Sequence, residues 1–284
     1  MYRIVATDMD ETFLGANHQI PPANLEAMRL LRDAGVLLVP SSGRPYHTIM
    51  GNFAGIDQSL LEGTYVISFN GGFINRYGDP MPLTTCHIDH DAADSLYRQA
   101  REMGLCQHIY NTSGRMVVVD ADEEEVSYIS SIPGAEFASG EGHPDVSSFF
   151  GADEVVKVIY ASSDFAGLQT LGERLRPELA ACGIDVTYSS GRYVEFVCAG
   201  VNKGAGLAHL AKLLDIPIEE TIGIGDSSND LEMIKAAGLG VGVANVTDDV
   251  RPHCDAVLET RGEDGAFLEL YDRFVAPQLP ETRA

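Results

Sequence analysis

Two acidic clusters, each closing a short strand-like run, constrain the fold of this chain more than any other feature. Ile4 to Thr7 leads into Asp8-Met9-Asp10-Glu11-Thr12, and Thr221 to Ile224 leads into Gly225-Asp226-Ser227-Ser228-Asn229-Asp230. Short apolar runs bounded by polar turns read as buried strands. Helical patterns alternate with them. Asn24 to Ala34 carries Leu25, Met28 and Leu31 against Glu26 and Asp33 and ends at Gly35, after which Val36 to Val39 and Tyr65 to Phe69 again read as strands. In the last third, Gly204 to Leu214 places Leu207, Leu210, Leu213 and Leu214 on one expected helical face. A strand at Thr221 to Ile224, a helix at Leu231 to Ala237 and a strand at Leu239 to Val243 follow. Strand-helix-strand units of this length take right-handed crossovers and build a parallel sheet. Both acidic clusters then lie at carboxyl ends of strands, the edge where open α/β sheets bind ligands.

Between about Pro82 and Tyr193 the texture changes. A helix at Asp91 to Met103 precedes strands near Gln107 to Tyr110 and Met116 to Val119, and a helix at Phe165 to Cys182 precedes strands near Asp185 to Tyr188 and Tyr193 to Val197. The turns Thr112-Ser113-Gly114-Arg115 and Ser189-Ser190-Gly191-Arg192 occupy matching places, with hairpin chemistry. This predicts an α+β insert with a weak internal duplication, dividing the chain into core (1–82), insert (83–193) and core again (194–284). The acidic run Asp120 to Glu125 reads as a solvated helix start, not a metal site.

A formal net charge of -23 repels nucleic acid and anionic membranes at long range, so an anionic ligand needs a local positive site. No apolar stretch approaches the roughly 20 residues that span a bilayer, and the expectation is a cytoplasmic protein without a signal peptide. The 5 cysteines are odd in number and scattered, which predicts reduced, mostly buried thiols without chemistry. Cys86-His87-Ile88-Asp89-His90 lacks the second ligand pair of a structural zinc site. Gly238, Gly240 and Gly242 do not follow a dinucleotide-binding pattern and read as close strand packing.

At a strand end turning into a loop, Asp8 and Asp10 can converge, with Thr12 tying the loop down by a hydrogen bond. Their mutual repulsion calls for a hard cation with oxygen ligands, most economically Mg²⁺, with Asp226 completing the cage. Ser41-Ser42-Gly43-Arg44 offers hydroxyl and amide donors for phosphate oxygens, and Lys203 sets a cation at a strand-to-helix crossover.

With these four elements in this order, the chain resembles the haloacid dehalogenase superfamily, specifically its Cof-type (subfamily IIB) sugar-phosphate phosphatases. Phe69-Asn70-Gly71-Gly72 and Gly242-Val243-Ala244-Asn245 belong to the resemblance. It implies a Rossmann-like parallel-sheet core with an inserted α+β cap of the C2B type. By position, Asp8 is similar to the nucleophile, Asp10 to the general acid/base, and Asp8, Asp10 and Asp226 to the Mg²⁺ site. Met9, Ser42, Gly43, Lys203 and Asn229 correspond to phosphate contacts, with Thr12, Arg44, Asn70 and Asp230 in support. The resemblance puts the Met9 main chain near phosphate and the Asp10 main chain near the metal, and Asp230 is similar to an acidic position that either ligates through water or orients the lysine. The family usually has Gly where this chain has Glu11, and a backbone φ above zero there would strain a glutamate.

The resulting expectation is a Mg²⁺-dependent phosphatase of small phosphorylated metabolites, foremost sugar phosphates, acting through an aspartyl-phosphate. A sugar phosphomutase and a non-catalytic phospho-ligand-binding module are the alternatives. Specificity is expected in the insert, with His108, Tyr110, Arg115 and Arg192 as candidates. Oligomeric state is not readable from the sequence.

Overall fold

The computed structural model describes residues 1–130, 132 and 134–280. The chain divides into two compact units, one formed by Met1–Thr84 with the stretch from Asn202 onward, the other by Thr85–Val201. The sequence reading drew the insert at 83–193; the strand Tyr193–Cys198 pairs within the sheet of the second unit, so that unit runs on to Val201.

In the first unit, five strands form a parallel sheet in the order Ala256–Val257, Leu239–Gly242, Thr221–Gly225, Ile4–Thr7 and Leu37–Pro40. Ile4–Thr7 has no exposed residue, as expected of a strand covered on both faces. Its register sets Thr7 beside Ile224 on one side and Pro40 on the other. Chain order reverses here: Leu37–Pro40 lies on one flank and the much later Thr221–Gly225 on the other. That reversal opens a crevice at the carboxyl ends of the strands, directly where both acidic clusters begin.

Helix Pro22–Asp33 buries Asn24, Ala27, Met28 and Leu31, a helical stripe against the apolar cluster around Phe13, Phe53 and Phe267. Asn24 also ties distant segments together, donating to Phe13 O at 2.8 Å and accepting from Phe267 N at 3.0 Å. Helix Lys203–Leu213 buries Leu207, Leu210 and Ala211. The expectation for Leu213 is corrected: its side chain is 47% exposed, because six residues on from Leu207 is about 240° around a helix.

Tyr65–Ser68 does not extend the parallel sheet as a full strand. It touches it through one parallel bridge, Ser41 to Ile67, and otherwise belongs to a three-stranded sheet with Phe73–Arg76 and Pro82–Thr85, pairing antiparallel with the former. Gly238 and Gly240 are close-packing positions, where a Cβ would meet Glu219 O and Ile234 O at 2.3 Å each.

The second unit is a six-stranded sheet ordered Ile184–Ser189, Tyr193–Cys198, Val155–Ala161, Cys106–Asn111, Met116–Val119 and Ala135–Ala138. It is antiparallel except between its last two strands. Helices His90–Glu102 and Phe165–Ala181 pack on one face through Ala93, Leu96, Tyr97, Leu168, Leu171 and Leu175. The two expected hairpins form, and the sequence reading omitted Val155–Ala161, the strand that joins them.

The second face carries a buried polar group. Glu125, in helix Glu123–Ile129, accepts from Tyr193 Oη and the Arg192 guanidinium at 2.6 Å each, and His108 Nε2 lies 3.0 Å away. Asp122 caps this helix through Glu125 N, so the acidic run does start a helix. Glu125 itself is buried, not solvated: despite the burial, bonding from His108 and Tyr193 and the Arg192 charge hold its carboxyl below the ordinary range.

The cysteine expectation is also corrected. Cys86 and Cys198 form a disulfide, and of the free thiols Cys106 is buried while Cys182 is exposed. Cysteine count and spacing say nothing about which strand ends meet, and only the fold brings these two together across 112 residues. Among the described residues, no helix is long and apolar enough to cross a membrane.

Candidate active site

Asp8 continues the first strand by donating its amide to Ile224 O at 3.0 Å, the last sheet-like bond before the chain turns. The turn then wraps the Met9 carbonyl, which accepts from Phe13 N and Leu14 N. Within it, Thr12 reaches across 214 residues to donate its hydroxyl to Asp226 Oδ1 at 2.7 Å. The expected tie therefore exists, and its partner is the second acidic cluster.

Lys203, the first residue of its helix, is completely buried, with its ammonium 2.5 Å from Asp8 Oδ1 and 2.6 Å from Asp230 Oδ1. Asn202 caps the helix by accepting from Ala205 N, which fixes where the lysine stem starts. Asp230 uses its other oxygen to accept from Asp226 N and Ser227 N at 3.0 and 3.2 Å. Both of its oxygens are thus engaged, which makes it an anchor for Lys203 and for the Gly225-Asp226 turn. Of the two roles the resemblance allowed it, orienting the lysine matches these contacts.

Asp8, Asp226 and Asp230 bring carboxylate oxygens within 4.8 Å of one another, and all three are buried. Among the described residues, no other grouping of three or more His, Cys, Asp or Glu side chains is close enough to share an ion. The electrostatics follow from that crowding. Burial, then repulsion from Asp230 and Asp226, pushes the Asp8 carboxyl well above its ordinary value, although Lys203 opposes the shift. Burial, with Asp230 and Glu11 nearby, raises Asp226 to about 6. Burial works against the Lys203 ammonium, yet Asp8 and Asp230 outweigh it and hold the lysine above its ordinary range. One ammonium cannot neutralise three carboxylates. An all-oxygen, net-negative, buried donor set fits a hard divalent cation, which would draw these pKa values back down.

Asp10 does not join this cluster. Its carboxylate is 46% exposed and turns toward Arg44, 3.4 Å away, and His18 Nδ1, 3.2 Å away. The expectation of Asp10 among the cation ligands therefore does not extend to its side chain here: the strand ends at Thr7, Asp10 lies in the turn that follows, and Arg44 and His18 hold its carboxylate away from the buried cluster.

The Ser42 turn sits against Asn70. Ser42 O accepts from Asn70 N at 2.9 Å, Ser42 N donates to Ile67 O, and Ser42 Oγ accepts from Arg44 N at 3.2 Å. A Cβ on Gly43 would lie 3.1 Å from the Asn70 amide, so glycine lets the two segments close up. Asn70 adopts φ 53° and its buried Oδ1 has no hydrogen-bond partner. Asn229 accepts from Ser227 Oγ at 3.1 Å in the turn after Asp226. All of these residues belong to the first unit.

The sequence reading missed His18, whose contact with Asp10 has no motif signal in an exposed loop, and the side-chain role of Asn245, named only as part of a segment. Of the insert candidates, His108 and Arg192 are committed to Glu125, and Arg115 grips Glu136 through two bonds of 2.9 and 2.8 Å. Cys86 lies in the disulfide and His87 pairs with Glu154 at 3.0 Å, which accounts for the zinc-like string.

The sequence profile of the haloacid dehalogenase-like hydrolases matches residues 5–270. Phosphatase YwpJ of Bacillus subtilis is 30% identical over 93% of this chain and 96% of its own length. Pyridoxal phosphate phosphatase YbhA of Escherichia coli is 26% identical over 96% of this chain and 99% of its own. The solved structure of the subclass IIB sugar phosphatase BT4131 has the same fold, with a TM-score of 0.76 at 18% identity, over 96% of this chain and 98% of that one. The profile match across almost the whole chain, and a relative at this identity and coverage, place the chain in the haloacid dehalogenase-like hydrolase family, among its Cof-type phosphatases.

Proposed function

We propose that this protein is a Mg²⁺-dependent phosphatase of small phosphorylated metabolites, foremost sugar phosphates, acting in the cytoplasm through an aspartyl-phosphate. The observation that carries the reading is the buried group of Asp8, Asp226 and Asp230 closed by Lys203 at the strand-order reversal. Relatives named for pyridoxal phosphate and for sugar phosphates support a small monoester as substrate. The second unit is read as the cap that selects it.

Phosphate monoesters resist hydrolysis so strongly that enzymatic acceleration reaches about 10²¹-fold, and dividing the reaction lowers the barrier. In the first step an Asp8 oxygen attacks phosphorus, the bond to the substrate oxygen breaks, and Asp10 passes its proton to that leaving oxygen. In the second, Asp10 takes a proton from water as the water attacks the aspartyl-phosphate, releasing inorganic phosphate and restoring Asp8. Asp10 is half-exposed and apart from the buried cluster, a placement that suits proton exchange with substrate and water. Lys203, buried and held cationic by two carboxylates, offsets charge on the transferring group, and Ser42, Gly43 and Asn229 orient its oxygens. When bound, Mg²⁺ would be held by Asp8 and Asp226 and would add positive charge against the phosphoryl oxygens.

The test is Asp8→Asn with an aryl phosphate in the presence of Mg²⁺. Phosphate release is expected to vanish while the melting curve stays cooperative; turnover within tenfold of wild type would reject the covalent mechanism.

A further inference from the structure

Glu11 sits at φ 60°, in the left-handed region, with its side chain exposed. A residue with a Cβ enters that region at a cost, so something must hold it there. Its carbonyl accepts from Asn245 Nδ2 at 3.0 Å, and the same amide accepts from Gly262 N at 3.0 Å through Oδ1. Both ends of the Asn245 amide are therefore used as a bridge. Gly262 is the second jaw: a Cβ there would lie 2.1 Å from Glu11 O, so glycine is what lets the two backbones approach this closely. The segment carrying Asn245 is itself anchored by Ala244 N donating to Thr260 O at 3.1 Å.

From these contacts we infer that Asn245 is a positioning residue for the phosphoryl-transfer site, a role that rests on the phosphatase reading above. Glu11 lies between Asp10, which handles the proton, and Thr12, which holds Asp226 by its hydroxyl. Rotation of the Glu11 peptide out of the left-handed region swings one neighbour relative to the other. Asn245 prevents that rotation without touching the reacting atoms, so its loss acts on the chemical step more than on substrate binding. A glycine at position 11 adopts the same backbone freely, which makes the clamp dispensable.

The experiment is a double-mutant cycle on Asn245 and Glu11, with an aryl phosphate as probe. Asn245→Asp keeps the acceptor for Gly262 N and loses the donor to Glu11, and Asn245→Ala removes both without adding charge. Each is expected to lower kcat by about tenfold to thirtyfold with KM changed less than twofold, and adding Glu11→Gly should bring kcat back to within about threefold of Glu11→Gly alone. Crystal structures of Asn245→Ala should show residue 11 out of the left-handed region, and of the double variant should show it retained. Wild-type kcat in Asn245→Ala, failure of Glu11→Gly to restore it, or a retained left-handed Glu11 in the single variant overturns the inference. If either single variant does not fold, folding of the double variant supports the clamp and its failure to fold overturns it. Absence of phosphate release by the wild type counts against the phosphatase reading, and the structural arm still decides the clamp.

Discussion

Replacing Lys203 by methionine separates charge from packing, because methionine fills a similar volume and keeps the straight stem. The ammonium it removes is fully buried between Asp8 at 2.5 Å and Asp230 at 2.6 Å. Removing one partner of a buried ionic group leaves uncompensated charge and costs about 3–5 kcal/mol. Here the residue left behind is a trio of buried carboxylates within 4.8 Å, which places the expectation at the upper end. The pH dependence follows from the direction of the shifts. Asp8 and Asp226 already have folded-state values above their ordinary ones, and losing the ammonium raises them further. A carboxyl with a raised folded-state pKa favours the fold at low pH, and that contribution is lost as pH rises through the folded value. The deficit of Lys203→Met should therefore grow from pH 5 to pH 8. Urea denaturation in EDTA across that range measures it. A deficit under about 1 kcal/mol at pH 7.5, or one that shrinks as pH rises, would refute the picture of an ammonium holding the carboxylates together.

In the wild type without divalent cation, Asp226 at about 6 makes a contribution to stability that falls between pH 4 and pH 6, by about 3 kcal/mol at most, and Asp226→Asn should remove that part of the pH dependence from a urea-melt profile. Millimolar Mg²⁺ should then raise the melting temperature more at pH 7.5 than at pH 5; an equal rise at both would count against the cluster as its site. In the second unit, Glu125→Ala leaves Arg192, Tyr193 and His108 around an emptied position and should cost about 3–5 kcal/mol in a urea melt. A loss below 1 kcal/mol would show that the network contributes little. Thiol titration under denaturing conditions should find three reactive cysteines before reduction and five after, from one disulfide and three free thiols; five before reduction would mean that Cys86 and Cys198 do not pair.

Much of the first unit is legible in the sequence because its signals are local. Ile4–Thr7, Leu37–Pro40, Thr221–Gly225 and Leu239–Gly242 lie within a residue or so of the expected strands, since buried parallel strands are short uninterrupted apolar runs. The residues of the candidate site were legible for a related reason: strand ends in this topology must deliver their next residues to one edge, so the acidic clusters could be placed before any contact was known. Leu213 shows the limit of reading a helix by composition alone, being apolar yet turned to solvent.

What the tertiary structure decided is everything that depends on a partner remote in sequence. The separation of Asp10 from the buried carboxylates, the engagement of both Asp230 oxygens, the Glu125 network and the pairing of Cys86 with Cys198 all join segments that local pattern treats independently. Glu11 joins the two levels. Its identity marked the loop as unusual, but its left-handed backbone and the Asn245 and Gly262 contacts that hold it come from segments more than 230 residues away. A sequence states which groups are available and the period at which they recur; only the packed chain sets the distances, and electrostatic and hydrogen-bond energies depend on distance.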